Sequence, residues 1–167
     1  TSFLVTNGLC PDKIKELSKN NQLPTQFYVS VNIPNEGQYQ RFHRSSIKNA
    51  WEKLNETLEF LPNLKNKTRT VFRINLVREI NMSEKHIQQF AQLIKKSNPL
   101  FVEIKGYMAV GYARQRLGYD RMPTHKEIVD FAEILAKQTN LKILDEHERS
   151  CVCVLGKNKK DLKIKEI

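Results

Sequence analysis

The stretch FVEIKGYMAVGYARQRLGYDRMPTHKE, residues 101–127, decides how this chain is read. Its opening alternates as a short β-strand, 101–105, with Val102 and Ile104 on one face and Phe101, Glu103 and Lys105 on the other. Gly106 breaks the strand. A loop dense in arginine and tyrosine follows, carrying Tyr107, Tyr112, Arg114, Arg116, Tyr119 and Arg121. Pro123 closes it, and Thr124 with Glu127 makes the capping-box pattern that starts a helix. A strand that opens at its C-terminal end into a basic-aromatic loop and then a helix is a βα unit. In folds built by repeating that unit, the loops at this edge carry the chemistry.

Working outward, the same unit recurs. Toward the N-terminus the pattern predicts strands over 2–6, 26–32 and 69–77. Between them lie a helix opened by Pro11, a helix over 45–61 striped by Ile47, Ala50, Trp51, Leu54, Leu58 and Leu61, and a third helix capped by Ser83 that stops before Pro99. Toward the C-terminus a helix over 124–137 precedes two short strands, 141–144 and 151–155, paired as a hairpin around 145–150. Strand and helix alternate, so the expected class is α/β with a mainly parallel sheet and right-handed crossovers. Residues 1–156 are expected to form one domain, and the lysine-rich 157–167 a flexible basic tail.

Lys and Arg number 28 against 18 Asp and Glu, a net charge of +10 that suits a polyanionic partner such as nucleic acid. No apolar run approaches the length of a membrane span, which argues against a membrane partner. The three cysteines, Cys10, Cys151 and Cys153, have neither metal-ligand spacing nor the count of a disulfide framework. They read as packed thiols in a reducing cytoplasm, with no metal site. The sequons at Asn55, Asn66 and Asn81 are expected to be incidental. His43, His86 and His125 read as surface residues, and His147 as a structural partner of Arg149.

Strand alternation yields a sharper expectation. Phe27, Val29 and Val31, then Phe72, Ile74 and Leu76, then Val102 and Ile104 form apolar faces suited to the helices. The opposite faces bring Ser30, Asn32, Arg73, Asn75, Glu103 and Lys105 onto one inner surface. Charges inside a barrel must be paired or bound. Either Arg73, Glu103 and Lys105 pair with one another, or Arg73 and Lys105 meet a carboxylate or phosphate while Ser30, Asn32 and Asn75 meet hydroxyls or an amino group.

The segments VTNG (5–8), YVSVNIP (28–34), VFRINLV (71–77), EIKGYMAVGYARQRL (103–117), MPTHKEIVDFAEIL (122–135) and DEHERS (145–150) resemble, in order, the wybutosine-pathway tRNA 4-demethylwyosine synthases. These are radical S-adenosylmethionine enzymes. The resemblance implies the C-terminal part of a partial (β/α)6 barrel with its helices outside, entered at the family's third strand. It implies a lyase that condenses pyruvate with N1-methylguanosine beside the anticodon of phenylalanine tRNA. It also implies S-adenosylmethionine and [4Fe–4S] clusters whose ligands lie outside this chain, so that the chain alone would be inactive and would need the other half of the barrel as a partner. Carried over by residue, Thr6, Asn7, Ser30, Asn32, Arg73 and Asn75 would face the cofactor. Lys105, Tyr107, Tyr112, Arg114, Arg116 and Arg121 would face the tRNA or substrate. No catalytic residue is assigned. Asn32 stands where the pattern often has Asp, and Ala113 where it has Ser. Two other functions remain open: a noncatalytic tRNA-binding module, and a phosphate-binding barrel enzyme, although no glycine-rich phosphate loop is found.

Overall fold

The computed structural model describes residues 1–164. Its core is a six-stranded sheet in the order β1-β2-β3-β4-β6-β5. The strands are β1 (Phe3–Thr6), β2 (Gln26–Ser30), β3 (Arg69–Leu76), β4 (Phe101–Gly106), β5 (Lys142–His147) and β6 (Val152–Gly156). Strands β1 to β4 pair in parallel, and the β5–β6 hairpin adds antiparallel with β6 against β4. The helices are α1 (Pro11–Lys19), α2 (Glu36–His43), α3 (Ala50–Phe60), α4 (Glu84–Ser97), α5 (Gly111–Leu117) and α6 (His125–Thr139). Among the described residues, no helix is long and apolar enough to cross a membrane.

The main core lies between the sheet and its helices. Phe27, Val29, Phe72, Ile74, Leu76, Val102 and Ile104 are buried on the face that alternation predicted. From the helix side α4 contributes Ile87, Phe90 and Ile94, and α6 contributes Ile128, Phe131 and Leu135. Phe90 and Phe131 meet edge-to-face with centroids 6.2 Å apart. At Gly106 an added Cβ would lie 2.8 Å from Ile128 Cδ1, so the glycine eases the close approach of α6 to β4. Cys153 is fully buried in this core, and burial pushes its thiol up to about 11.

The other face changes character along its length. At the start of the strands Val71, Phe101 and Leu144 form a second apolar cluster, on which Leu162 packs. Arg69 lies over the Phe101 ring at 5.0 Å and donates to the carbonyls of Leu162 and Lys163. Of the segment expected to be a tail, residues 159–162 form a 3-10 turn against this end, and 165–167 lie outside the described residues. Beyond this plug the face turns polar.

The structure departs from the sequence reading in three helices. The helix expected over 45–61 begins only at Ala50, because Asn49 adopts a left-handed conformation (φ 54°), which leaves Ile47 exposed. It ends at Phe60 and passes into a 3-10 turn, Leu61–Leu64, with Pro62 inside it. Before it stands α2, which the apolar pattern did not reveal. Asn35 caps α2 by accepting from the Gln38 amide at 3.1 Å, but Tyr39 is its one buried residue. In addition, α5 interrupts the loop expected over 107–121. It has no buried residue, and Gly111 and Gly118 flank it at positive φ. His147 pairs with Ser150, Nδ1 to Oγ 2.9 Å, rather than with Arg149.

Candidate functional site

The polar end of the inner face forms a cavity of about 260 Å³ at the C-terminal ends of β2, β3 and β4. Ser30, Asn32, Arg73, Asn75 and Lys105 line it, with Gly106 and Met108 completing the wall. Strand register brings them together: Ser30 pairs with Arg73 and Asn75 with Lys105, so side chains from neighbouring strands project side by side. Of the two arrangements left open by the sequence, Arg73 forms the ion pair. Its Nε lies 3.0 Å from Glu103 Oε1. Lys105 has no carboxylate partner among the described residues, so it supplies the cavity's unpaired positive charge.

A buried amide holds this end of the sheet in place. Asn81 is fully buried, accepts from the Val77 amide at 2.7 Å, and donates to the carbonyls of Asn32 (2.7 Å) and Asn75 (2.9 Å). Asn32 Oδ1 in turn accepts from the Asn75 amide at 3.2 Å, so one side-chain oxygen of Asn32 belongs to the frame. Sequence reasoning passed over Asn81 except as a sequon, and its burial also removes it as a glycosylation acceptor. Its position just past the end of β3 was the available signal.

Thr6 and Asn7 end β1 and stand outside the cavity. Their side-chain oxygens accept from the amides of Gly8 and Leu9, at 3.1 and 3.2 Å, and shape the turn into α1.

The basic-aromatic segment separates into outward and inward residues. Tyr112, Arg114 and Arg116 are exposed, and among the described residues neither arginine has a carboxylate partner. Arg114 donates to the Tyr119 hydroxyl at 3.3 Å, and Arg116 lies over the Phe42 ring at 5.0 Å, joining α5 to α2. Beneath that contact His43 is held below its ordinary pKa by burial and by Arg116. Tyr107 turns inward: it is buried, and its hydroxyl donates to the Ala113 carbonyl at 2.9 Å, supporting α5 from below. Arg121 also serves the fold, donating to the Leu117 carbonyl and lying 3.6 Å from Glu79.

The family described as Wyosine base formation matches residues 96–157, the span from the end of α4 to the end of the hairpin. Over 162 residues the chain is 41% identical to the S-adenosyl-L-methionine-dependent tRNA 4-demethylwyosine synthase of Pyrococcus abyssi, covering 96% of this chain and 46% of that protein. The solved structure of TYW1 with a lysine–pyruvate adduct bound superposes with a TM-score of 0.79 at 32% identity, covering 96% of this chain and 48% of that one. The chain resembles about half of a tRNA 4-demethylwyosine synthase. The fold match falls on the C-terminal half of the solved synthases. Coproporphyrinogen III oxidase of Escherichia coli, a radical SAM enzyme, shares the fold alone, with a TM-score of 0.58 at 10% identity over 93% of this chain and 34% of that one. The chain therefore spans about half the length of the curated synthases it matches.

The residues present fit the two cofactors of such enzymes differently. The cavity offers a lysine, a paired arginine, a hydroxyl and two amides, the donors and acceptors that an amino acid joined to a nucleoside needs. It is smaller than the roughly 300 Å³ at which pockets for whole ligands begin, so it would hold part of S-adenosylmethionine. An iron–sulfur cluster is not fitted. Cys10 follows β1 at one edge, whereas Cys153 lies in β6, four strand positions away and so roughly 19 Å distant.

Proposed function

We propose that this chain is the cofactor- and tRNA-facing half of a 4-demethylwyosine synthase, acting in the cytoplasm on phenylalanine tRNA with pyruvate as co-substrate. The observation that carries the proposal is the adjacency of the polar cavity, at the ends of β2 to β4, to the exposed Arg114–Arg116 helix that follows β4. Lys105 would hold the cofactor's carboxylate, with Arg73 beside it. Ser30, Asn75 and the free amide nitrogen of Asn32 would orient its hydroxyls or amino group. S-adenosylmethionine held by these residues would supply the radical chemistry, with its [4Fe–4S] cluster expected outside this chain. A lysine–pyruvate adduct in a solved relative supports pyruvate as the second substrate. The guanine must leave its stack to reach the cavity, and Tyr112, 78% exposed beside the two arginines, offers a ring on which a displaced base can stack, worth roughly 1–3 kcal/mol.

The remaining half of the barrel is the expected partner. Among the described residues the outer edge of β1 is unpaired, and Phe3 and Val5 on it are more than half exposed, as suits an edge that another strand covers.

Salt dependence tests this reading. Each phosphate contact contributes roughly −0.7 to −0.9 to the slope of log affinity against log salt. In an enzyme carrying this half and its cluster-binding half, Arg114→Ala with Arg116→Ala should flatten that slope by roughly 1.4–1.8 and weaken tRNA binding, while S-adenosylmethionine affinity holds. An unchanged slope with unchanged tRNA affinity would remove α5 from the RNA interface.

A further inference from the structure

The helix-covered face of the sheet, opposite the cavity, carries a second cluster that the proposed chemistry does not use. A ring nitrogen of His125, a carboxylate oxygen of Glu146 and Sγ of Cys153 all lie within 4.8 Å of one another. Three separate elements deliver them. His125 is the first residue of α6, Glu146 lies on β5, and Cys153 on β6 is the register partner of Glu146. Imidazole nitrogen, carboxylate oxygen and thiolate sulfur together are the mixed donor set that borderline divalent cations favour.

A second observation points the same way. His125 Nδ1 is buried and has no hydrogen-bond partner, while Nε2 lies 3.3 Å from Glu146 Oε2. Nε2 is thus the ring nitrogen already turned toward the carboxylate and placed to bind a cation, with Nδ1 on the far side of the ring. We infer that His125, Glu146 and Cys153 form a binding site for a divalent cation of the Zn²⁺ class, with a fourth position open to solvent on the Glu146 side.

Ligand atoms about a tetrahedral zinc lie roughly 3.3–3.8 Å apart, so the site must contract by about 1 Å on binding. Glu146 provides that movement, because its side chain is 54% exposed and free to change rotamer. Cys153 stays fixed in its strand. On binding, its S–H bond breaks, a sulfur–metal bond forms, and the proton passes to solvent; no electron is transferred. The bound ion ties the first turn of α6, and with it the end of the basic segment, to the terminal hairpin. The site is therefore structural, and it is independent of the proposed tRNA chemistry.

Cobalt(II) titration of the 167-residue chain under reducing conditions tests the inference, because cobalt takes zinc's tetrahedral place and reports a thiolate ligand by a charge-transfer band. One equivalent should bind with that band, zinc should displace it, and zinc should raise the Tm. Cys153→Ala should abolish the band, and His125→Gln or Glu146→Gln should weaken binding by roughly tenfold or more. Cys10→Ser and Cys151→Ser should leave both unchanged. Glu146 is exposed enough that its substitution leaves the fold intact, so it decides the matter should Cys153→Ala misfold. A band that survives Cys153→Ala, affinity unchanged in Glu146→Gln, or no cobalt uptake at millimolar metal would overturn the inference.

Discussion

Arg73 and Glu103 are register partners on β3 and β4, and the ion pair between them engages the arginine that lines the polar cavity. On the proposed reading, an anionic ligand beside Lys105 would compete with Glu103 for the guanidinium. Glu103→Gln should lower stability by about 1 kcal/mol in urea denaturation, since the pair is partly solvated. The same change should tighten binding of a small carboxylate or phosphate, measured by calorimetric titration of the chain. Weaker anion binding in the variant would show that Glu103 positions Arg73 rather than competing for it.

Asn81 satisfies one amide and two carbonyls inside the protein. Asn81→Ala strips all three partners at once. Each buried polar group left without a partner costs about 1–3 kcal/mol, so a total loss near 3 kcal/mol is expected from denaturant unfolding. Amide exchange should rise first at Val77, whose N–H the side chain holds. A loss under about 0.5 kcal/mol would mean that water replaces the side chain without cost.

Glu127 closes the capping box at Thr124 and is held down to about 2, chiefly by the Arg78 guanidinium and further by the Thr124 amide and hydroxyl, with burial acting the other way. A carboxyl with a folded value below its ordinary 4.5 binds fewer protons folded than unfolded. Its stabilisation is therefore complete above pH 4.5 and is lost as the pH falls through about 2. The side chain is 37% exposed, so screening limits the effect to about 1 kcal/mol. In Glu127→Gln the pH dependence of unfolding between 4.5 and 2 should flatten by that amount. An unchanged slope would assign the acid sensitivity to other carboxylates.

Anaerobic reconstitution of this chain with iron and sulfide should leave less than one cluster per chain, because Cys10 and Cys153 stand at opposite regions of the sheet. Metal and sulfide counting with the visible spectrum reads the result. A stoichiometric [4Fe–4S] cluster would require the cysteines to meet across two chains.

The cavity was legible in the sequence because a parallel sheet converts alternation into position. Once Phe72, Ile74 and Leu76 face the helices, Arg73 and Asn75 have nowhere to point but the inner face. The second helix, α2, was not legible, because with Tyr39 alone buried it lacks a stripe that periodicity can detect. The short helix α5 escaped for the same reason, burying nothing. Tyr107 and Arg121 looked like their neighbours Tyr112 and Arg114, and composition cannot tell an aromatic that braces a helix from one that meets solvent. Only the Tyr107 hydrogen bond to Ala113 and the Arg121 bond to Leu117 separate them. Similarly, the terminal hairpin could be read, but not the insertion of β6 between β4 and β5.

The apolar plug of Val71, Phe101, Leu144 and Leu162 closes the start of the inner face and leaves the other end open. A face closed at one end would impose an order on traffic in the proposed complete barrel. On the proposed reading, a small molecule seated against Lys105 would enter from the end of β4 that leads into α5, and a far larger polyanion on α5 would lie across that path. The small ligand would then arrive first and depart last. Steady-state kinetics of an assembled enzyme would display this as compulsory-order addition, with the polynucleotide acting as an uncompetitive trap on whatever is already inside.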